Sequence, residues 1–284
     1  MNTPSGADER AEHLQLSGRV AVVTGASHGI GRAIAATFAA HGVRVALIAR
    51  SAQQLEKTAA MIGANGGTAL PLAVDVTDRD AVAGAVASAE QALGPIEMLV
   101  NNAGITDLDR FLDEDPEAWW RVVEVNLRGP MLTTHTVLPA MIARRNGLII
   151  NVASGIALGP SPLSSAYACS KAALLRLTDS IALATADHGV VAFAVSPGTV
   201  DTAMMRDVVV KLARLAPGVP EPTYHPVEKI QALCLQLASG RYSALSGCFI
   251  HVDDDVDYLL RHVDQIQRDG LYQLGLRRLA SRAP

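Results

Sequence analysis

The sequence has little cysteine, few charged residues and no long apolar run. Its three cysteines, Cys169, Cys234 and Cys248, are odd in number and form no Cys-x-x-Cys pair. That argues against both a disulfide framework and a zinc site, and it suits a reducing compartment. Charged residues make up 18% of the chain, 24 basic against 28 acidic, for a formal charge of −4. Nowhere do five or six like charges run together, so the electrostatic footprint of a nucleic-acid binder is missing. No window approaches the apolar length of a membrane span. The first seventeen residues carry Asp8, Glu9, Arg10 and Glu12 but no apolar stretch of the kind a signal peptide needs. The expectation is a cytoplasmic protein with neither a membrane nor a nucleic-acid partner.

What the chain does have is 49% hydrophobic residues over 284 positions, enough to bury a large core. At about 150 residues per domain the length allows two domains, although α/β folds of this size are often single. Apolar, β-branched runs alternate with helical patterns. Strands are expected over 19–24, 43–49, 69–74, 98–101, 147–152, 190–195 and 248–252. Helices are expected over 33–40, 53–62, 80–93, 207–215 and 226–237. Right-handed βαβ crossovers then give a single doubly wound parallel sheet, a Rossmann fold of the α/β class with helices on both faces.

The first expected strand runs into Thr24-Gly25-Ala26-Ser27-His28-Gly29-Ile30-Gly31 and then directly into a helix. Glycines at this junction permit a tight turn, close approach of a pyrophosphate to bare backbone N–H groups, and close helix packing. The helix N-terminus adds about half a positive charge facing the phosphates. Gly25, Ser27, His28, Gly29, Ile30 and Gly31 are therefore candidate dinucleotide contacts. After the second strand an acidic residue would bind the ribose 2′-hydroxyl of NAD, but the chain reads Ala49-Arg50-Ser51. Arg50 offers a planar fork to a 2′-phosphate, which favours NADP(H) over NAD(H).

Tyr167 and Lys171 stand four apart in a helical segment, so their Cβ atoms should lie about 5–6 Å apart on one face. An ammonium beside a phenol favours the phenolate and would lower the tyrosine pKa toward the working range of an acid/base catalyst. Ser154 precedes the tyrosine by thirteen residues, and Asn101-Asn102-Ala103-Gly104 and Asn126 lie upstream. Taken together with the glycine turn, these motifs resemble the short-chain dehydrogenase/reductase family from about Gly18 to Val252.

The resemblance implies that Tyr167 donates a proton to a substrate carbonyl and that Lys171 binds the nicotinamide ribose while tuning the tyrosine. It also implies that Ser154 hydrogen-bonds the carbonyl oxygen and that Asn126 holds a water linking Lys171 to solvent. By the same resemblance Asp75 and Val76 border the adenine, and Asn101, Asn102, Ala103 and Gly104 line its ribose. Pro197, Gly198, Val200 and Thr202 belong to the segment beside the nicotinamide, with Val200 and Thr202 placed for its carboxamide. It further implies a lid over 203–226 and a homo-oligomer of two or four chains.

The reaction expected is hydride transfer from NADPH to a ketone or aldehyde of small to medium, partly apolar character. NAD-dependent oxidation of an alcohol and a non-catalytic NAD(P)-binding sensor or structural subunit are the competing readings. The domain is expected over 18–255, after a polar leader at 1–17. Asp253-Asp254-Asp255 reads as a solvated turn without a metal, because adjacent carboxylates diverge. The chain departs from the family pattern here, and Val256, Leu259, Leu260, Val263 and Ile266 keep helical spacing within an added C-terminal helix running to about Leu279, part of an extension at 256–284.

Overall fold

Strand β1 (Val20–Thr24) is buried along its whole length and its side chains divide by parity. Val20 and Val22 join one core while Ala21 and Val23 join the other. The same division holds in β2 (Arg44–Ala49), where Val45 and Leu47 oppose Ala46 and Ile48. It recurs in β4 (Met98–Asn101) and β5 (Gly147–Val152). A strand buried on both faces must be apolar throughout, which is why these segments read as continuous hydrophobic runs.

With β3 (Thr68–Ala73), β6 (Val190–Ser196) and β7 (Phe249–His251), they form one seven-stranded sheet in the order β3-β2-β1-β4-β5-β6-β7. Every neighbouring pair is parallel. This computed structural model describes residues 16–275.

One face carries α1 (Gly29–Ala40), with Ile34 and Phe38 buried, and α8 (Val227–Ala238), with Ile230, Leu233 and Leu237 buried. The other carries α3 (Arg79–Leu93) and α5 (Gly129–Arg144), which contribute Val86, Ala89, Val137 and Met141. Strand β1 is flanked by β2 on one side and β4 on the other, so the chain reverses its direction of progress across the sheet there. In an open parallel sheet the crevice beyond the strand ends at such a reversal is where ligands bind. Among the described residues no helix is long and apolar enough to cross a membrane.

The end of the chain differs from the expected single helix. Two short helices, α9 (Val256–Arg261) and α10 (Val263–Asp269), are separated at His262 (φ −111°, ψ 18°), and Gly270 stops the second in the left-handed region (φ 62°). The His262 ring lies 2.8 Å from the Tyr258 carbonyl through Nδ1, and its backbone N–H turns to Leu259, tightening the turn where the axis breaks. Val256, Leu259 and Ile266 enter the first core, so the added apolar face covers its own subunit. After Gly270 the chain returns along the sheet edge, where the Phe249 N–H donates to the Tyr272 carbonyl at 2.7 Å. The last part of the expected helix, and the leader up to residue 15, lie outside the described residues.

Candidate active site

The turn after β1 depends on atoms that have no room to spare. Gly25 (φ 66°) and Gly29 (φ 56°) take left-handed backbone, and a Cβ on Gly31 would lie 2.4 Å from both the Gly25 carbonyl oxygen and Asn102 Nδ2. The Asn102 amide donates to the carbonyls of Thr24 (3.0 Å) and Gly25 (3.3 Å). The Thr24 hydroxyl accepts from the N–H groups of Asn102 and Ala103, each at 3.0 Å. The ends of β1 and β4 are thereby tied together, and the backbone of the turn stays bare toward the crevice.

A cleft of about 300 Å³ opens at this point. Along one wall lie Gly25, Ser27, His28, Gly29 and Ile30, with exposed Arg50 at the rim beside Ser51 and Gln54. Asp75, Val76, Asn102, Ala103 and Gly104 continue the wall, and Tyr167, Lys171, Pro197 and Thr202 close its far end. The crevice thus collects residues far apart along the chain, from Gly25 to Met204.

Six expected contacts are not on the cleft wall, each for a visible reason. Gly31 lies beneath the turn. Asn101 points into the sheet, donating to Asn151 Oδ1 (2.9 Å) and Thr134 (3.1 Å) and accepting from Thr133 at 2.6 Å. Gly198 is covered by the His225 imidazole, Val200 is buried, and Ser154 stands beside Tyr167. Asn126 is fully buried in a π-helical turn (Glu124–Arg128), accepting from Ile105 N–H at 2.9 Å and donating to the Ile105 carbonyl and Ser170 Oγ. Its amide therefore braces the loop after β4 and is already engaged there. Thr202 caps α7 (Ala203–Leu215) by accepting from Met205 N–H at 3.2 Å, which leaves its O–H free to donate into the cleft.

Asp75 is held from outside the motif. Burial pushes its carboxyl up, but hydrogen bonds from the Thr77 N–H (2.9 Å) and hydroxyl (2.8 Å), with Arg121 at 2.7 Å, outweigh that and keep it below the usual value. Arg121 lies on α4 (Pro116–Val123), and nothing in local spacing connects it with Asp75. Arg121 is thus a site-building residue that motif reading missed, and Thr24, the first residue of the glycine motif, has a bracing role that the motif alone did not assign.

At the far end, Tyr167 and Lys171 share the inner face of α6 (Ser165–Ala184). Lys171 Nζ lies 5.5 Å from the centre of the Tyr167 ring and donates to the Val152 carbonyl at 2.8 Å. Protein packed around Tyr167 pushes its phenol up to about 12, with the Ser154 hydroxyl hydrogen bond pulling the other way. This corrects the expectation of a lowered tyrosine: desolvation dominates, and the ammonium is engaged by Val152. Burial also pushes Lys171 down to about 8.

That burial has a consequence for stability. Because the folded-state value lies below the ordinary 10.5, the charged lysine costs the fold most below pH 8, and stability from this group rises as the pH climbs from 8 toward 10.5. Lys171→Met should therefore stabilise the ligand-free protein at pH 7 by about 1–2 kcal/mol after the Val152 hydrogen bond is lost. The gain should shrink above pH 8. Denaturant unfolding of both proteins across pH measures it.

The short chain dehydrogenase family model matches residues 19–212. The chain belongs to the short-chain dehydrogenase/reductase family. A short chain dehydrogenase of Pseudocercospora fijiensis is 38% identical over 96% of this chain and 94% of its own. A short-chain type dehydrogenase/reductase from Mycobacterium marinum has a crystal structure with TM-score 0.78 at 34% identity, covering 86% of this chain and 97% of that one. NAD+-bound xylitol dehydrogenase gives a TM-score of 0.77 at 29% identity, over 83% and 98% of the two chains.

As a short-chain dehydrogenase the protein is an oxidoreductase acting on CH–OH groups, and its fold binds NAD(P). The glycine turn fits such a cofactor, because Gly25, Ser27, Gly29 and Ile30 line the cleft at the N-terminus of α1, where backbone N–H groups favour an anion.

Proposed function

We propose that the protein is an NADPH-dependent carbonyl reductase for small to medium, partly apolar ketones or aldehydes. The observation that carries this reading is that Tyr167 and Lys171, with Ser154 beside the tyrosine, stand at the far end of a cleft whose near end is a bare glycine turn. The reduced nicotinamide, when bound, supplies the hydride that goes to the carbonyl carbon.

Tyr167 gives its phenolic proton to the developing alkoxide. Ser154 donates to the same oxygen, holding it in place and stabilising its charge. Lys171, already beside the phenol, holds the nicotinamide ribose and stabilises the tyrosinate left after transfer. Asn126 Oδ1 and Lys171 Nζ lie 3.2 and 3.7 Å from where a Gly104 Cβ would sit, and that glycine leaves room for proton replacement from solvent. Val76 and the Asn102–Gly104 wall hold the adenosine half, with Asp75 oriented by Arg121. Thr202, whose hydroxyl accepts from Met205 N–H and can still donate, would hold the carboxamide.

The segment 203–226 forms the substrate lid, within the domain over 18–255. Met204 lines the cleft, and Lys211 on α7 pairs with Asp107 in the loop after β4, joining the lid to the opposite wall. Met204 on the cleft wall supports a partly apolar substrate, although α7 itself also carries Arg206, Asp207, Lys211 and Arg214.

Arg50 at the rim supports NADP, whereas the likeness to an NAD+-bound xylitol dehydrogenase favours NAD-dependent alcohol oxidation as the second reading. Direct binding distinguishes them. Wild-type protein should bind NADPH more tightly than NADH, and Arg50→Asp should weaken NADPH by roughly 10- to 100-fold while leaving NADH little changed. Equal affinities before and after that substitution would refute the assignment of Arg50.

A further inference from the structure

Outside the cleft, His225 packs on Gly198 and Thr199, which lie between the cleft-lining residues Pro197 and Thr202. His225, at the end of the lid, sits over Gly198, where a Cβ would fall 2.5 Å from Nδ1. Its backbone N–H donates to the Thr199 carbonyl at 2.6 Å, and its Nδ1 accepts from the Thr199 N–H at 3.3 Å. One residue thus engages both backbone groups of Thr199. The opposite ring nitrogen, Nε2, lies 2.9 Å from Asp253 Oδ2.

Those contacts determine the tautomer. A backbone N–H can only donate, so the Nδ1 facing Thr199 carries no proton, and in the neutral ring Nε2–H donates to Asp253. Lys229 pairs with the other oxygen of Asp253. Hydrogen bonds from Lys229 first and His225 second hold this carboxyl down to about 2, so it is an acceptor throughout the neutral range. The His251 ring packs edge-on against His225 at 5.6 Å, and its own Nδ1 accepts from the Asp253 N–H at 3.2 Å. Ligand atoms of His225, His251 and Asp253 lie within 4.8 Å of one another, as they would around a metal ion. Yet Nε2 of His225 is the protonated nitrogen, and Asp253 is shared with an ammonium. The cluster is built for hydrogen bonding.

We propose that His225 is a positioning residue, a clamp that fixes the Gly198–Thr199 backbone through its Nδ1 acceptor, with Asp253 setting the tautomer. The clamp rests on the reading that Pro197–Thr202 borders the nicotinamide. It also gives Asp253 and Gly198 definite tasks: the first orients the ring, and the second makes space for it. Because His225 touches neither substrate nor cofactor, its effect reaches the reaction only through the wall it holds.

Three variants separate this clamp from simple space filling. The amide of His225→Asn ends where Nδ1 sits, so its oxygen can still accept from Thr199. His225→Gln reaches toward Asp253 but abandons Thr199, and His225→Leu keeps bulk with no acceptor. Titrating each with NADPH, followed by nicotinamide fluorescence, His225→Leu and His225→Gln should bind roughly tenfold more weakly than wild type, and His225→Asn within about threefold of it. At saturating cofactor the substrate KM should stay within about threefold in all three, since the lost contact acts on the nicotinamide side.

Wild-type-like binding by His225→Leu, or weaker binding by His225→Asn than by His225→Gln, would overturn the clamp. Should His225→Leu not fold, the two amides still decide it, because they differ only in reach. Equal affinities across the variants alongside tight wild-type binding would remove the clamp alone. No binding by the wild type would remove the cofactor reading and the clamp together.

Discussion

Tyr167→Phe is expected to lower the turnover of any accepted carbonyl by about a thousandfold or more, with the fold and cofactor affinity nearly unchanged. The substitution removes one oxygen and keeps the ring that packs beside Lys171. Ser154 and Lys171 remain, so the site can still bind and polarise a carbonyl, but no group is left at that position to protonate the oxygen. A phenol raised to about 12 is fully protonated at neutral pH, so in the reductive direction wild-type activity should not fall for want of the acid until strongly alkaline pH. The oxidative direction requires the tyrosinate and should speed up as pH rises. Following nicotinamide absorbance for turnover and fluorescence for binding separates the two quantities. Activity within tenfold of wild type would remove Tyr167 from the proton-transfer step.

The second large effect is structural. Gly31→Ala adds a single methyl group, but its carbon would lie 2.4 Å from both the Gly25 carbonyl oxygen and the Asn102 amide nitrogen. A backbone oxygen inside a turn cannot rotate aside as a flexible side chain does, so α1 must move away from the turn or the turn must open. Either movement disturbs the Asn102 hydrogen bonds to Thr24 and Gly25 that hold β1 to β4. The expected cost is about 3 kcal/mol of stability, accompanied by loss of measurable nucleotide binding. Gly84→Ala is the matched control: Gly84 lies within α3 with nothing within 4 Å of an added Cβ. That substitution should stabilise the protein by about 0.5–1 kcal/mol, since alanine is the better helix residue. Thermal unfolding of the two variants should therefore shift in opposite directions.

The contrast between these two glycines shows where reading the chain alone stops. Both are glycine within a helix, and what makes one indispensable is the close approach of the Gly25 carbonyl in the turn and of Asn102, 71 residues further along the chain. Asn101 and Asn102 are adjacent in one motif, yet they point to opposite environments. Asn101 ends β4 and faces the buried threonines of α5, while Asn102 has left the strand and turns toward the glycine loop. Alternation along a strand makes such a split unavoidable, but the point where the strand ends decides which residue faces which way.

The C-terminal segment gives a similar lesson. Its apolar spacing correctly marks the face that enters the core, but it does not register the break at His262, which arises from local hydrogen bonding.

From the sequence itself came the parallel α/β sheet, because strands buried on two faces must be continuously apolar. So did the glycine turn and the Tyr167–Lys171 pair, because helix and turn geometry act over a few residues. Tertiary structure alone decided the contacts made across tens of residues: Arg121 on Asp75, Asn102 under Gly31, and His225 between Thr199 and Asp253. It also decided the protonation of the site. The tyrosine is pushed up to about 12 because the protein packed around it disfavours the charged phenolate, and burial is a property of the folded chain that no local spacing encodes.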